Sequence, residues 1–208
     1  MRDGRPVVVA VDLDGTITDR DCVTRYLLFE LGWSRLFRLV LRSAKPLLAG
    51  LMQTDRDAVK VVLSSWLGGK ERRELQISGR RFATTRIGNW LREDTIQRLE
   101  AHRMAGGRIV IVSASYDHYV SVVAEMIRAE VALATRLEFI DDVATGRLAG
   151  PNCRGEEKVR RLRGWLSENF PEPSQVHVVA YGDSSGDDAL LDFASEGTRV
   201  ARRSLWVR

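Results

Sequence analysis

Short runs of β-branched and apolar residues alternate along this chain with longer stretches in which apolar side chains recur every three or four positions. The first run, Val7 to Val11, meets no polar residue until Asp12, the pattern of a strand buried on both faces of a parallel sheet. The period then changes to that of a helix. Asp19 or Asp21 can cap a helix through Tyr26, Leu27 and Leu31, and Gly32 ends it. A second helix is predicted from near Ser34. Trp33, Leu36, Phe37, Val40, Leu41 and Ala44 form its buried stripe, which Leu47, Leu48 and Leu51 continue. Thr54 to Leu67 and Glu71 to Trp90 read as two more helices, divided by Gly68 and Gly69.

Strand-like runs return only after this block. A helix over Glu93 to Met104 ends at Gly106 and Gly107 and leads into a strand over Arg108 to Val112, closed by Ser113, Ala114 and Ser115. Then come a helix from Asp117 to about Arg128, a short strand from Val131 to Ala134, and a hairpin of Arg136 to Ile140 with Gly146 to Ala149. A helix from Glu156 to Asn169, a strand from Val176 to Tyr181, a helix from Asp187 to Ala194 and a last strand from Thr198 to Ala201 complete the pattern. Strands alternating with helices predict an α/β fold, a doubly wound parallel sheet. The all-helical block after the first strand reads as an inserted cap. The expected division is a Rossmann-like core of residues 1–18 and 90–208 and a helical cap of residues 19–89.

Composition narrows the class. The chain has 208 residues, enough for one core with an inserted cap, and its 44% hydrophobic and 29% charged residues are ordinary for a globular protein. The first residues lead straight into a strand with no cleavable apolar segment, and only Cys22 and Cys153 are present, so a reducing cytoplasm is the expectation. His102, His118 and His177 are scattered and read as surface or packing residues. Lysine occurs only at positions 45, 60, 70 and 158, and the net charge is +4. Acids are interspersed with the bases and no nucleic-acid motif appears, which argues against a nucleic-acid partner.

One stretch departs from that mixing. No acidic residue occurs between Glu30 and Asp55, while Arg35, Arg38, Arg42 and Lys45 lie together on one side of the predicted helix. The basic residues and Pro46 within Leu36 to Met52 argue against a membrane span. Two readings stay open: an amphipathic cap helix with a solvated basic face, or a surface at 33–52 that makes peripheral contact with anionic lipid or attracts an anionic substrate. The second would put the protein at the inner face of the membrane.

The candidate chemistry lies at strand ends. Asp12 and Asp14, two apart on an extended chain, point the same way into the crevice beyond the first strand, where open α/β sheets bind ligands. The plain alternative is a polar turn through Asp14 and Gly15. The functional reading is a metal-assisted acyl-phosphate site, with a carboxylate nucleophile and a second carboxyl group that moves the proton. Ser113 closes the second core strand and suits a phosphate oxygen at a helix N-terminus, although a serine there is often only a cap. Lys158 stands near the start of a helix against an unfavourable dipole, which points to an anionic partner. The fourth core strand ends in YGDSSGDD, with Asp183, Asp187 and Asp188 at another strand's carboxyl end. Asp12, Asp14, Asp183 and Asp187 together bring four carboxylates against one lysine, and a phosphate monoester would be repelled without a divalent cation. Oxygen ligands and phosphate favour Mg²⁺.

With DLDGT, IVSAS, Lys158 and GDSSGDD in that order, the chain resembles the haloacid dehalogenase superfamily of phosphohydrolases over nearly its whole length. The helical cap between the first two motifs is similar to that of the phosphoserine phosphatase-like branch, subclass IB. The resemblance implies that Asp12 attacks phosphorus and that Asp14 protonates the leaving oxygen and then activates water. It implies that Ser113 and Lys158 hold the phosphoryl group, that Gly15, Thr16 and Ala114 line it, and that Asp12, the Asp14 backbone carbonyl and Asp183 bind Mg²⁺. Asp187 would orient Lys158 and a metal-bound water. Gly15, Ala114 with Ser115, and Gly186 depart from the pattern of phosphoserine phosphatases, and Asp21 stands where they use a glutamate for the substrate amine. The acid-free, apolar, basic cap is closer in character to phosphatidylglycerophosphate phosphatases. The implied activity is a phosphomonoesterase acting on a lipid-linked or amphipathic ester. The alternatives are a small soluble ester such as phosphoserine, a phosphomutase or phosphotransferase, and a non-catalytic phosphate-binding module.

Overall fold

The computed structural model describes residues 4–53 and 55–201. Thr54, the expected start of the third helix, and the Leu51 side chain lie outside what is described. Five parallel strands form the central sheet in the order β3-β2-β1-β6-β7. They are β1 (Val7–Val11), β2 (Arg108–Tyr116), β3 (Val131–Thr135), β6 (His177–Gly182) and β7 (Glu196–Arg199). The chain runs from β1 outward through β2 and β3, then crosses to the other side of β1 for β6 and β7. The order therefore reverses between β1 and β6, and a crevice opens at their carboxyl ends.

The continuous apolar runs of β1, β2 and β6 are explained by burial on both faces. Val9, Val11, Ile109, Ile111, Val179 and Tyr181 belong to one core cluster. Val8, Ala10, Val110, Val112, Val178 and Ala180 face the other way and join a second cluster. Helix α7 (Glu156–Asn169) and helix α8 (Asp188–Phe193) close this second face through Leu162, Trp165, Leu166 and Leu190. The first face carries α5 (Glu93–Met104), α6 (Asp117–Met126) and the helices inserted after β1.

These inserted helices are α1 (Cys22–Arg42), α2 (Ala44–Met52), α3 (Arg56–Ser65) and α4 (Arg72–Thr85), followed by a short 3₁₀ turn over Ile87–Trp90. Tyr26 of α1, Phe82 of α4 and Tyr119 of α6 meet in an aromatic cluster with ring centroids 5.0 to 5.5 Å apart, which seats the insertion on the sheet's helices. Strands β4 (Leu137–Ile140) and β5 (Val143–Leu148) form the expected hairpin. Asp141 and Asp142 both have positive φ, as a tight hairpin turn requires. The hairpin also holds the insertion from below, since Gly69 N donates to Ala144 O and Ala144 N to Lys70 O.

Three expectations are corrected. The apolar stripe of residues 33–48 is not buried. Leu36, Leu39 and Leu47 pack half-buried against the core, but Trp33 is 77% exposed, Phe37 63%, Leu41 60% and Leu48 58%. Gly32, at φ 71 and ψ 164, breaks α1 and redirects its second half, so that only one edge of the stripe reaches the core. Strand β2 runs beyond Val112 as far as Tyr116, because β3 keeps pairing with it to Thr135 across a register shift after Ser113. Ser113 is therefore inside an irregular strand and not at the start of α6. The last strand lies at Glu196–Arg199, earlier than expected, where it pairs with Val179 to Gly182. No described helix is long and apolar enough to cross a membrane.

The contrast between Phe82 and Trp33 is testable by urea unfolding. Phe82→Ala should cost about 3–5 kcal/mol, as for a buried aromatic, whereas Trp33→Ser should stay within about 0.5 kcal/mol. Equal losses would contradict the exposure of the second half of α1.

Candidate active site

The site begins with register. Val11 of β1 pairs with Ile111 of β2 on one side and Tyr181 of β6 on the other, and Asp12 N donates to Tyr181 O at 3.0 Å. Residues just beyond these partners must then share the crevice, which brings Asp12, Ser113 and Asp183 to one place. Lys158 arrives from the first turn of α7. Gly155, at the N-cap of that helix, donates its N–H to Gly186 O at 2.8 Å, tying the helix start to the loop after β6.

Lys158 is buried, and its Nζ donates to Asp12 Oδ1 at 2.6 Å and Asp187 Oδ1 at 2.5 Å. Burial alone would lower its ammonium, but the two carboxylates outweigh that and hold it above the ordinary lysine range. Asp187 accepts a second set of donors from Ser184, whose N–H and Oγ lie 3.0 and 2.8 Å from Oδ2. Burial would raise Asp187, yet Lys158 and these donors keep it below the usual carboxylate range. Asp12 is pushed up to about 8, first by burial and then, against the pull of Lys158, by the Asp187 and Asp14 charges. The pocket thus carries more negative charge than its lysine offsets.

That excess suits a hard cation. Carboxylate oxygens of Asp12, Asp183 and Asp187 all lie within 4.8 Å of one another. Gly15, at φ 81, passes so close to Asp183 that a Cβ there would collide with its carboxylate. The donors are all oxygen, as Mg²⁺ requires. Asp187 already has both oxygens engaged, by Lys158 and by Ser184.

Asp14 turns away from the lysine. Its Oδ1 accepts Cys22 N–H at 2.6 Å and its Oδ2 accepts Ser115 Oγ at 2.5 Å, with Tyr119 OH donating to the same Ser115 oxygen at 3.0 Å. Burial and then the Asp21 charge raise its carboxyl, while the Ser115 and Cys22 donors act against them. Asp14 is thus set apart from Asp12 by its environment, the usual basis for different acid and base roles. Ser113 Oγ accepts Ser115 N–H at 3.0 Å, which leaves its hydroxyl proton to be given elsewhere. Thr16 Oγ1 is buried without a hydrogen-bond partner among the described residues. Ala114 is half-buried beside Ser113. Asp21 is exposed at the N-cap of α1, where it accepts Thr24 N–H at 3.1 Å. Asp188 pairs with Arg199 at the surface, outside the cluster.

Several neighbours escaped the sequence reading. Ser115 could have been found from its place two residues after Ser113 on one strand face. Arg92 clamps the first loop from a distance, its Nη1 donating to Gly15 O and Ala201 O at 3.0 Å each. Lys60 of α3 is buried with no hydrogen-bond partner among the described residues, and its Nζ sits 3.5 Å from the centre of the Tyr116 ring. Burial pushes it down to about 7 against the pull of Asp14 and Asp21. Only its rarity as a lysine hinted at it. His118, stacked on Tyr116, is driven down to about 3 by burial and by Lys60, so its imidazole is neutral.

Strand-end carboxylates around a buried lysine mark a class of α/β hydrolases that handle anions, and likeness to known proteins fixes the family. The haloacid dehalogenase-like hydrolase family matches residues 9–192, and the chain belongs to it. Protein CicA of Caulobacter vibrioides is 36% identical over 202 residues, covering 95% of this chain and 87% of the relative. A probable phosphatase of Mycobacterium tuberculosis is 34% identical over 103 residues, 49% of this chain and 34% of its own length. The solved phospho-aspartyl intermediate analogue of phosphoserine phosphatase is similar in fold, with a TM-score of 0.63 at 18% identity over 95% of this chain and 86% of that one. Within the family, this chain is a hydrolase of the phosphatase type.

Lys60 supplies a test of this burial. Its value falls from 10.5 when exposed to about 7 in the fold, so between those pH values the unfolded chain binds a proton that the folded chain lacks. Stability from this group is present above 10.5 and is lost as pH falls toward 7. Lys60→Met should remove that slope and raise stability near neutral pH by roughly 1–3 kcal/mol. An unchanged slope in the variant would show Lys60 to be solvated.

Proposed function

We propose that this chain is a Mg²⁺-dependent phosphomonoesterase that works through an aspartyl-phosphate on Asp12, with Asp14 as general acid and base. The observation that carries the reading is the buried contact of Asp12, Lys158 and Asp187, with Asp183 close by, at the adjoining ends of β1 and β6. Residues 19–89 act as the cap over a core of residues 1–18 and 90–208.

An Asp12 carboxylate oxygen forms a bond to phosphorus as the ester P–O bond breaks, and Asp14 gives its proton to the departing oxygen. Water then attacks phosphorus, its proton passes to the Asp14 carboxylate, and the bond to Asp12 breaks to release inorganic phosphate. The raised Asp14 carboxyl supports the first proton transfer. Lys158 fixes the Asp12 carboxylate and offsets charge on the phosphoryl group, and Asp187 with Ser184 fixes Lys158. Ser113 offers its hydroxyl proton, and Gly15, Thr16 and Ala114 line the remaining phosphoryl oxygens. Asp12, Asp183 and the Asp14 carbonyl would hold Mg²⁺, which when bound neutralises carboxylate charge and polarises the phosphoryl group.

The substrate reading is a lipid-linked or amphipathic phosphomonoester. The acid-free cap over residues 31–54 favours an anionic ligand. Lys60, buried against the Tyr116 ring with no hydrogen-bond partner among the described residues, suits a second negative group on the same molecule.

Turnover of p-nitrophenyl phosphate with Mg²⁺ tests the mechanism. Asp12→Asn should reduce it by more than about 10³-fold with the circular dichroism unchanged, and undiminished turnover would exclude Asp12 as nucleophile. Chelation should abolish activity and added Mg²⁺ restore it; activity that survives chelation contradicts the metal requirement. In a panel of soluble and lipid phosphomonoesters, kcat/KM should favour amphipathic esters with a second anionic group. Lys60→Met should raise KM for those and leave p-nitrophenyl phosphate little changed. A preference for small soluble esters would support the phosphoserine-like alternative instead.

A further inference from the structure

The second half of α1 and helix α2 present a surface that the catalytic chemistry does not use. Leu36, Leu39 and Leu47 face the core, and the other large apolar residues here turn outward. Trp33, Phe37 and Leu41 follow one another every fourth residue and are 60% exposed or more, with Val40 beside them. Leu48 and Met52 extend the patch along α2. Arg35, Arg38 and Arg42 recur at the same helical spacing on a neighbouring face, and Lys45 continues them, all exposed. Among the described residues no carboxylate pairs with any of these four cations, and no acid lies between Glu30 and Asp55.

We propose that this surface is a docking face for an anionic lipid bilayer, with the second half of α1 and helix α2 lying in the headgroup region. Charge decides among occupants. An uninterrupted set of cations beside exposed tryptophan, phenylalanine and leucine matches a membrane interface, where aromatic and aliphatic side chains enter the acyl boundary and arginine and lysine stems reach back to phosphate. A second copy of the chain would bring the same cations against one another across a two-fold interface, which opposes that pairing. Gly32 makes the arrangement possible, since its positive φ separates the exposed half of α1 from the half that seats Tyr26 in the core and carries the Asp21 cap near Asp14. Docking would thus set the cap beside a lipid surface. This deepens the reading of an amphipathic substrate and rests on it only for what enters the site.

The test is sedimentation of the full chain with vesicles at low salt, comparing phosphatidylcholine alone with an equal mixture of phosphatidylcholine and phosphatidylglycerol. The chain should pellet with the mixed vesicles, not with phosphatidylcholine alone, and release as salt is raised. Arg38→Glu with Arg42→Glu should weaken binding by at least about tenfold, and Phe37→Ser with Leu41→Ser should weaken it comparably. Both double variants should keep wild-type turnover of p-nitrophenyl phosphate, which also shows that they fold. Absence of wild-type binding to the mixed vesicles overturns the proposal, as does binding that neither variant diminishes. A concentration-dependent dimer abolished by Phe37→Ser with Leu41→Ser, in a chain that does not bind vesicles, would assign the face to a second copy. Failed turnover with intact vesicle binding would count against the phosphatase reading and leave the docking face standing.

Discussion

The Lys158 ammonium, buried between Asp12 and Asp187, is the contact on which the rest of the site depends. Without it, two carboxylates would face each other inside the protein, with Asp14 and Asp183 close by. Buried ion pairs add little to stability against apolar replacements, because desolvation of both partners offsets their attraction. What this one supplies is charge placement. It holds Asp187 below the usual carboxylate range and pulls Asp12 down against the burial that raises it. Around it the carboxylate oxygens of Asp12, Asp183 and Asp187 converge, an arrangement that suits a hard cation.

The sheet makes that placement automatic. Parallel pairing fixes Val11 opposite both Ile111 and Tyr181, so whatever follows these residues meets in one crevice. Strand β1 could carry its apolar run only because both its faces are covered, and the same covering removes water from Asp12. The structure couples the two environments at Asp12 and Asp14 by geometry alone. Two residues apart along the chain, they are turned to different partners: Lys158 for the first, Cys22 and Ser115 for the second. Similar carboxylates thereby acquire different partners and different electrostatic surroundings.

Much of this was legible in the sequence because buried parallel strands leave a mark that little else leaves, an unbroken apolar run that stops at polar residues. Strands β1, β2, β3 and β6, helices such as Glu156–Asn169, and the acids of DLDGT and GDSSGDD follow from that mark, whereas β7, an exposed EGTR with no apolar run, does not. What periodicity does not tell is what lies against a face. Trp33, Phe37 and Leu41 have the spacing of a buried stripe, and only the break at Gly32 shows that the core meets Leu36 and Leu39 instead. Lys60 and Ser115 were hidden for a related reason. Their importance comes from neighbours distant in sequence, Tyr116 for the one and Asp14 for the other. The extension of β2 to Tyr116 was equally a matter of its partner strand, whose pairing continues past the serines.

The central claim is that Asp12 takes the phosphoryl group covalently. The most direct measurement is acid quenching of the enzyme during turnover of a radiolabelled phosphomonoester, followed by peptide mapping of the labelled protein. The account predicts one labelled peptide, containing Asp12, with the label lost on treatment with hydroxylamine as an acyl phosphate requires. Label on a different residue, or rapid turnover with no label trapped at any quench time, would contradict it.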